Sequence, residues 1–403
     1  MNLRFTAEAV ACVVVPLLSL ACSAESPPDS GGAAGSAGST SSAAGNTSTG
    51  GSTGTAGSAP VGVAGTNSTI PGGGGQVGAT GGAGGGTGVA GAGGTTTLPN
   101  GGSTSTAGTG AGGAPTTGMY PVPRGMSAGC GKDPPGSDSS SGFVKHDIAV
   151  TGVDPAFITA HPSNPGNNGG YTYLKRNYYV RLPAGYDPSK PYAVTFGGGG
   201  CGNTGGDSGK GGGQQPKGMT AIQIGLSYVY SGGACFEDGY ANTPEVPYFD
   251  AVMKEISANY CVNLEKVFVS GYSSGAWESV TLGLARAGVI RGIATGAGGL
   301  RKDRPMPSGI PMAAILLTGQ GDGANPIDGP TGSAAARDQI LMTNKCVGTT
   351  TMPWAPDKDC VQYTGCPPAF PVIWCTPGGG HTGGSDAHWS AVGATFDMLP
   401  PVP

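Results

Sequence analysis

A stretch of about ninety residues near the amino end limits most strongly what this chain can fold into. From Ser30 to Met119 the sequence has no charged and no aromatic residue, and it holds 32 of the chain's 80 glycines. A segment of this composition buries too little apolar surface to offset the entropy lost on ordering it. We therefore predict a disordered segment rich in Gly, Ser, Thr and Ala, followed by one folded unit at residues 119–403.

The charge balance of the chain argues against a nucleic-acid partner. The formal net charge is −4, and no cluster of lysine and arginine supplies the basic face that phosphate binding needs. The one sustained apolar run, from Ala9 to Cys22, is interrupted by Pro16 and is too short to cross a bilayer. We expect no obligate protein partner and no membrane contact other than a lipid anchor.

The first residues are typical of an export signal. The apolar run from Val10 to Leu20 predicts a signal peptide at residues 1–21. The segment Leu18-Ser19-Leu20-Ala21-Cys22 resembles a bacterial lipobox, whose cysteine becomes the lipidated first residue. We expect lipid on Cys22 and a linker at residues 22–118, which would anchor the protein in the outer membrane of a bacterium, at the cell surface. Plain secretion is the alternative.

Eight cysteines in the folded unit support export. They are Cys130, Cys201, Cys235, Cys261, Cys346, Cys360, Cys366 and Cys375. An even number of cysteines in an exported domain predicts up to four disulfides. Cys360 and Cys366 are the most plausible local pair, and the rest of the connectivity stays open. Zinc is the competing interpretation, but the chain has no Cys-x-x-Cys pair and no His-Glu-x-x-His segment, so we predict no metal.

Apolar strands alternate with helices along the folded unit. Strands are predicted at residues 178–181, 192–196, 227–230, 266–270, 292–295, 313–318 and 371–374. Helices are predicted at residues 247–260, 274–286, 334–341 and 387–399. This alternation is typical of an α/β fold, with a mostly parallel sheet covered by helices on both faces. Functional residues of such sheets gather beyond the carboxyl ends of the strands.

The pattern Gly-x-Ser-x-Gly, which marks many serine nucleophiles, occurs three times. The copies lie at residues 50–54, 125–129 and 271–275. Only Ser273, in the third copy, follows an apolar strand and opens a helix, as a nucleophile elbow requires. We therefore predict that Ser273 is the nucleophile and that the amino end of its helix stabilises nearby negative charge. The plainer alternative is a strand–turn–helix connection that merely uses small residues.

A serine nucleophile needs a base and a carboxylate, and candidates for both follow in the chain. Asp322 comes soon after an apolar strand, with Asp328 as its rival. His381 follows the last strand through a glycine-rich loop, whereas His388 falls on the predicted last helix and is the less favoured base. His146 and His161 come before the first predicted strands. The carboxylate would orient the histidine, which takes the serine proton. The order of serine, aspartate and histidine is that of the α/β-hydrolases.

The same site needs hydrogen-bond donors for the oxyanion that forms during acyl transfer. The backbone N–H of Ser274 is one donor, and the second is expected at Cys201 or Gly200, where a glycine run lets the backbone approach the substrate. Tyr272 and Trp277 lie beside the elbow and are predicted to contact the acyl group. Aromatic residues at such positions also serve as core, which is the alternative.

Six motifs carry a family resemblance. They lie at residues 127–132, 181–187, 260–262, 267–275, 360–363 and 372–381, and they include Tyr260-Cys261-Val262 and Gly271-Tyr272-Ser273-Ser274-Gly275. In combination they resemble the feruloyl esterase and polyhydroxybutyrate depolymerase-like branch of the α/β-hydrolases. The resemblance implies that fold over nearly all of the folded unit, with the triad at Ser273, Asp322 and His381. Gly199 and Thr318 stand where members of that branch often have histidine.

The residues and the resemblance together predict an exported serine esterase that cleaves carboxylic esters through an acyl-enzyme, without metal or cofactor. Feruloyl (hydroxycinnamoyl) esters of plant cell-wall polysaccharide are the first predicted substrate, attached to a polymer. Polyhydroxybutyrate and acetylated xylan are the alternatives. A non-catalytic surface lipoprotein that binds polysaccharide is a hypothesis of a different class. Its only support is Gly199, which stands where histidine is usual, just before the predicted oxyanion donors.

Overall fold

The computed structural model describes residues 124–202, 205–355 and 358–402. The predicted signal peptide, Cys22 and the predicted linker lie outside these residues. Within the described ranges, the strands are β1 (Val144–Ala149), β2 (Lys175–Arg181), β3 (Tyr192–Gly198), β4 (Ala221–Leu226), β5 (Val262–Tyr272), β6 (Gly292–Gly296), β7 (Ala313–Leu317), β8 (Thr351–Pro353), β9 (Cys360–Tyr363) and β10 (Val372–Cys375). The helices are α1 (Pro155–Ala160), α2 (Glu245–Asn259), α3 (Ser274–Arg286), α4 (Ser333–Thr343) and α5 (Asp386–Asp397), with a 3-10 turn at Gly205–Asp207. None of these helices is both long enough and apolar enough to span a bilayer.

The described strands form one mixed sheet in the order β1-β2-β4-β3-β5-β6-β7-β10-β9-β8. The central strands from β4 to β10 in this order are parallel, and antiparallel pairs lie at both edges. This is the α/β-hydrolase fold, and the predicted fold class is confirmed. Because the central strands are parallel, their carboxyl ends meet at one edge of the sheet, where their loops can share a site.

Successive residues of the central strands pack on opposite faces of the sheet. Val267 and Val269 of β5 belong to the core that includes residues of α2, α3 and α4, whereas Phe268 belongs to the core that includes residues of α5. The rings of Phe268 and Phe396 stack with their centroids 4.2 Å apart. Helices therefore cover both faces, which explains why the central strands are continuous apolar runs rather than alternating ones.

One strand lies elsewhere than predicted. β4 ends at Leu226, so the prediction of a strand at residues 227–230 is wrong. The backbone of Ser227 is bound by side chains instead of by a neighbouring strand: Arg176 Nη2 donates to its carbonyl at 2.6 Å, and its N–H donates to Tyr248 Oη at 3.2 Å. With both peptide groups satisfied in this way, the chain leaves the sheet without an unpaired backbone group.

Four disulfides join the eight cysteines of the folded unit, as expected: Cys130–Cys261, Cys201–Cys235, Cys346–Cys366 and Cys360–Cys375. Such a number is typical of oxidising compartments and indicates an extracellular protein. The predicted local pair of Cys360 with Cys366 is wrong. Cys360 lies directly opposite Cys375 in the antiparallel pair of β9 and β10, while the extended strand carries the chain away from Cys360 before Cys366 is reached.

The disulfide pattern makes a prediction for the native protein. Alkylation before reduction should label none of these eight cysteines, and peptide mapping should recover Cys360 linked to Cys375. Reduction should lower the melting temperature, since loss of a native disulfide costs about 2–5 kcal/mol in small secreted domains. Mass spectrometry of alkylated native and reduced samples measures this directly. Several labelled cysteines in the unreduced sample would contradict the four-disulfide assignment.

Candidate active site

Ser273 lies on the sharp turn between β5 and α3. Its φ is 55°, in the left-handed region that residues with a side chain rarely occupy, and its N–H donates to Gly296 O at 2.9 Å. The flanking glycines are required by close backbone contact, because a Cβ added at Gly271 would lie 2.0 Å from Gly275 O. The turn thus has the strained geometry that presents a serine hydroxyl at the carboxyl edge of the sheet.

His381 lies between Ser273 and Asp322. Its Nε2 is 3.0 Å from Ser273 Oγ, and its Nδ1 is 2.9 Å from Asp322 Oδ2. The Asp322 carboxylate is buried, and its other oxygen accepts the N–H groups of Ala324 at 3.0 Å and Asn325 at 2.8 Å. With its proton on Nδ1, the imidazole donates to Asp322 and can accept the serine proton at Nε2. Three side chains from distant parts of the chain are therefore brought into one hydrogen-bonded row.

The rival residues lie elsewhere. Asp328 is exposed farther along the same loop. His388 is buried on α5, with its ring 5.9 Å from that of Trp354 and 5.6 Å from that of Trp389. His146 was expected before the first strand but lies inside β1, which the sequence reasoning did not predict. Of the four residues weighed for the base and the carboxylate, only Asp322 and His381 adjoin the elbow.

The loop of residues 199–202, which we name the oxyanion loop, follows β3 and lies against the elbow. Gly199 O accepts the N–H of Gly275 at 2.9 Å, which fastens the loop to the start of α3. A Cβ added at Gly200 would lie 3.5 Å from Ser273 Cβ, so the backbone of this loop is next to the nucleophile. The loop is therefore close enough for its N–H groups to serve the same reacting centre.

The predicted oxyanion donors come from two tied segments. The N–H of Ser274 is in the first turn of α3, where no acceptor within the helix is available to it. Cys201 of the oxyanion loop is linked to Cys235, and the N–H of the next residue, Phe236, donates to Ser274 Oγ at 2.9 Å. The disulfide and this hydrogen bond hold the oxyanion loop and the elbow in a fixed relation. Such preorganisation of donors is what oxyanion stabilisation requires.

A cavity of about 450 Å³ opens beside Ser273, and we name it the cleft. Its wall includes Trp277, Arg301, Asn325 and Thr331. Tyr272 is not on that wall; its ring centroid lies 5.1 Å from that of His381, and its hydroxyl donates to His381 O at 3.4 Å. Of the two aromatic residues predicted to contact the acyl group, Trp277 is therefore on the wall of the cleft, and Tyr272 is beside His381.

Sequence reasoning missed Asn325, which connects the cleft wall to the histidine. Trp277 Nε1–H donates to Asn325 Oδ1, and because an indole N–H can only donate, this bond fixes which way the amide points. Asn325 Nδ2 then lies 3.2 Å from His381 Nδ1. The available signal was position alone: Asn325 comes three residues after Asp322, within the turn that the Asp322 carboxylate caps.

This arrangement predicts an effect of Asn325→Leu, which keeps the side-chain size and removes both polar contacts. The Trp277 N–H is left buried without an acceptor, and the contact of the amide with His381 is lost. We expect kcat/KM to fall about tenfold, or roughly 1.4 kcal/mol. Steady-state kinetics on a soluble ester, with circular dichroism to monitor folding, measures this effect. An unchanged kcat/KM would show that Asn325 does not position the histidine.

The second copy of the serine motif has a structural explanation. Ser127 is buried, its hydroxyl donates to Tyr260 O at 2.6 Å, and it accepts the N–H of Val262 at 2.9 Å. A Cβ added at Gly129 would lie 2.3 Å from Tyr260 O, so glycine is needed for this close packing. The motif at residues 125–129 therefore fastens the first described residues to the start of β5.

Among the described residues, one group has the residue types and the spacing of a metal site: Cys360, Cys375 and His388. The two sulfur atoms are joined to each other in a disulfide and offer no thiolate. This group therefore does not fit a structural zinc site, which needs ionised cysteine ligands.

Comparison with known proteins gives a consistent set of relatives. Feruloyl esterase C of Emericella nidulans is 30% identical to this chain over 247 residues, which span 57% of this chain and 87% of that protein. Feruloyl esterase D of Neurospora crassa is 26% identical over 249 residues, which span 56% of this chain and 84% of that protein. No family model matches the chain.

Solved structures with a similar arrangement include esterases. The acetyl xylan esterase from Aspergillus awamori aligns with a TM-score of 0.44 at 17% identity, over 63% of this chain and 99% of that one. A ferulic acid esterase from Anaeromyces mucronatus aligns with a TM-score of 0.37 at 16% identity, over 64% of this chain and 91% of that one.

Proposed function

Because this chain belongs to the feruloyl esterase family of carboxylic ester hydrolases, we propose that it cleaves its ester through an acyl-enzyme formed on Ser273. The observation that carries the proposal is the hydrogen-bonded row from Ser273 through His381 to the buried carboxylate of Asp322. A neutral serine hydroxyl is a weak nucleophile, and a histidine within hydrogen-bond distance activates it.

The proposed reaction has two halves. Ser273 Oγ attacks the ester carbonyl carbon while its proton passes to His381 Nε2, and Asp322 stabilises the imidazolium that results. The same proton then goes to the leaving alcohol, which departs and leaves the acyl group on Ser273. Water repeats the sequence: His381 takes a proton from the water, the water oxygen attacks the acyl carbon, and Ser273 recovers the proton.

Negative charge on the carbonyl oxygen in each half is stabilised by backbone N–H groups. Ser274 supplies one of them, and the oxyanion loop supplies the other at Gly200 or Cys201. These groups are held before the reaction begins, so little reorganisation is needed as charge develops. Removal of one such donor typically lowers kcat by about 10²–10³.

The proposed acyl group is hydroxycinnamoyl, carried on plant cell-wall polysaccharide. The cleft beside Ser273 is about 450 Å³, which exceeds the needs of an acetyl group, and Trp277 gives it an aromatic wall. The names of the two fungal relatives point to the same acyl group. Acetylated xylan and polyhydroxybutyrate are the alternatives, and the following experiment separates them.

The purified protein should be assayed side by side on methyl ferulate, p-nitrophenyl acetate and short-chain polyhydroxybutyrate. We expect the highest kcat/KM on methyl ferulate, together with labelling of Ser273 by a fluorophosphonate. A preference for acetyl or hydroxybutyryl esters would reject the hydroxycinnamoyl proposal. Failure of Ser273 to react with the fluorophosphonate, in a folded sample, would favour the non-catalytic polysaccharide-binding hypothesis.

We further propose that residues 1–21 export the protein, that Cys22 carries lipid, and that residues 22–118 are a tether. A Gly/Ser-type coil has an end-to-end distance of about 5–6 Å × √n, which gives roughly 50–60 Å for 97 residues. That reach would let the enzyme search a polymer surface while attached to the outer membrane. A single acyl chain binds membranes weakly, so stable attachment needs a multiply acylated cysteine.

The tether proposal predicts separable effects. Cys22→Ser should release the protein from the membrane fraction and leave its rate on a small soluble ester unchanged. Deletion of residues 23–118 should also leave that rate unchanged, because the proposed catalytic residues all lie beyond residue 192. Fractionation and a soluble-ester assay measure the two outcomes. Loss of soluble-ester activity on deletion, with the domain still folded, would contradict a passive tether.

A further inference from the structure

Arg301 is a cation on the wall of the cleft, and none of the proposed reaction steps uses it. It follows β6, and the Arg301 guanidinium lies 4.2 Å from the centre of the Trp277 ring. Its Nε and Nη2 donate to the same oxygen of Asp238, at 2.9 Å and 2.7 Å. The Asp238 side chain is 1% exposed and that of Arg301 is 30% exposed, so a buried carboxylate holds the guanidinium from behind.

The loop that carries Arg301 is packed tightly against α3. A Cβ added at Gly298 would lie 2.7 Å from the Ala276 side chain, and one at Gly299 would lie 2.4 Å from Thr331 O and 2.7 Å from the Trp277 ring. The N–H of Leu300 donates to Thr331 O at 3.1 Å. The backbone that leads into Arg301 is therefore fixed by close contacts with α3 and with Thr331.

The acids behind Arg301 are buried, and burial opposes their ionisation. Arg176 and Glu245 form a fully buried ion pair at 2.8 Å, which is neutral as a unit. Burial raises the pKa of Asp238 to about 7, against the opposing effect of Arg301. Burial and the neighbouring carboxylates of Glu245 and Asp238 raise the pKa of Glu278 well above its usual range. Of these groups, Arg301 reaches solvent, whereas Asp238, Glu278 and the Arg176–Glu245 pair are buried.

Ser273 lies on the wall of the cleft, and His381 does not. His381 must deliver a proton to the leaving alcohol, so the alcohol departs on the side of His381 and Tyr272. Neither of these residues is on the cleft wall, whereas Ser273 and Ser274 are. A group that stays on Ser273 after the alcohol has left is therefore directed into the cleft, toward Trp277 and Arg301.

We propose that Arg301 is a specificity-determining residue that favours those acyl groups that carry a carboxylate at their far end over acyl groups of equal size without one. This inference rests on the proposed acyl-enzyme at Ser273. Trp277 comes four residues after Ser273, about 6 Å along the helix axis, and Arg301 lies over its ring. A rigid arylpropenoyl chain that runs along Trp277 reaches the guanidinium with its distal substituent. Guanidinium binds carboxylate in a planar, charge-assisted geometry that a neutral substituent cannot match.

The test compares two esters of equal size. They are the methyl ester of 4-carboxycinnamic acid, esterified at the propenoate with the ring carboxylate free, and methyl 4-carbamoylcinnamate, in which a neutral carboxamide replaces that carboxylate. The measured quantity is the ratio of their kcat/KM values, in which any general loss of activity cancels. We expect the wild-type ratio to favour the carboxylate at least tenfold, chiefly through KM, and Arg301→Gln to bring the ratio to about one. Arg301→Lys should keep part of the preference.

Two further variants make the result interpretable. In the double variant Arg301→Gln/Asp238→Asn, no carboxylate is left buried without a partner, so the protein should be stable. It should show the same loss of preference as Arg301→Gln. Arg286→Gln is the matched control, because Arg286 also binds an aspartate, Asp250, through Nε and Nη2 but lies on the surface away from the cleft. It should keep the wild-type ratio.

Three outcomes would overturn the proposal. The first is a wild-type ratio near one, and the second is a ratio that Arg301→Gln leaves unchanged. The third is an Arg301-dependent preference for a carboxylate on the leaving alcohol instead of on the acyl group. The cinnamate ester of 4-hydroxybenzoate measures this third outcome. The Ser273→Ala variant distinguishes failure of the carboxylate-site proposal from failure of the proposed function. If it abolishes hydrolysis of both esters while the wild-type ratio is one, the acyl-enzyme proposal stands and only the carboxylate site fails.

Discussion

Ser273→Ala should lower kcat by about a thousandfold or more while the domain still folds. The hydroxyl makes one side-chain contact in the row, to His381, and alanine removes it without adding volume. The residual rate would come from the oxyanion donors and from substrate binding, which act without the nucleophile. Steady-state kinetics on p-nitrophenyl acetate, with circular dichroism to monitor folding, measures this effect.

The histidines give this prediction its control. His381→Ala should cost about as much as Ser273→Ala, because members of a triad act as a unit and their losses are not additive. His388→Ala should lower stability, since His388 is buried beside Trp354 and Trp389, and should leave kcat far less affected. A Ser273→Ala protein with a near-normal rate would reject the nucleophile assignment. A larger fall for His388→Ala than for His381→Ala would reject the base.

Parts of the fold that depend on local pattern were predictable from the sequence. The bounds of α3 agree with the prediction at both ends, because an apolar strand, a glycine-flanked serine and an apolar helix face follow one another within a short segment. Most of the central strands were found for a similar reason, namely β3, β5, β6, β7 and β10. Helices cover both faces, so each of these strands is a continuous apolar run. The family resemblance is confirmed by the relatives.

Features that depend on distant partners were not predictable. The segment Ser227-Tyr228-Val229-Tyr230 has the residues of a strand, but side chains of Arg176 and Tyr248 bind the Ser227 backbone and end the strand before it. The partner of Cys360 is set by the register of β9 with β10, which spacing along the chain does not show. The edge strands β1 and β8 were missed because exposed side chains weaken their apolar pattern.

The residues of the candidate site likewise include some that the sequence pattern predicts and some that it does not. Ser273, Asp322 and His381 each follow a strand of recognisable pattern. They are also the residue types that a nucleophile, a carboxylate and a base require, so the sequence alone points to them. Asn325 and Arg301 carry no such pattern, because an asparagine and an arginine in polar loops are common surface residues. Their importance comes from contacts with Trp277, which only the packing of the loops against α3 produces.

The second large effect is expected at Gly198, the last residue of β3. A Cβ there would lie 2.7 Å from Gly275 Cα and 3.3 Å from the Phe236 ring, so Gly198→Ala must push the oxyanion loop away from the elbow. That shift breaks the hydrogen bond from Gly275 N–H to Gly199 O and moves one oxyanion donor out of place. We expect kcat to fall about 10²–10³-fold, with a loss of roughly 1–3 kcal/mol in stability from overpacking.

The adjacent glycine is the matched control for this prediction. A Cβ at Gly199 would meet only Ser208 O, at 3.8 Å, so the fold accepts a side chain where similar enzymes often have histidine. Gly199→Ala should therefore keep most of its kcat and its melting temperature. Both variants add one methyl group, at neighbouring positions. A difference between them in kcat or melting temperature therefore reports close backbone contact rather than glycine flexibility. Equal losses at Gly198 and Gly199, or none at Gly198, would show that the oxyanion loop is not held by its contact with Gly275.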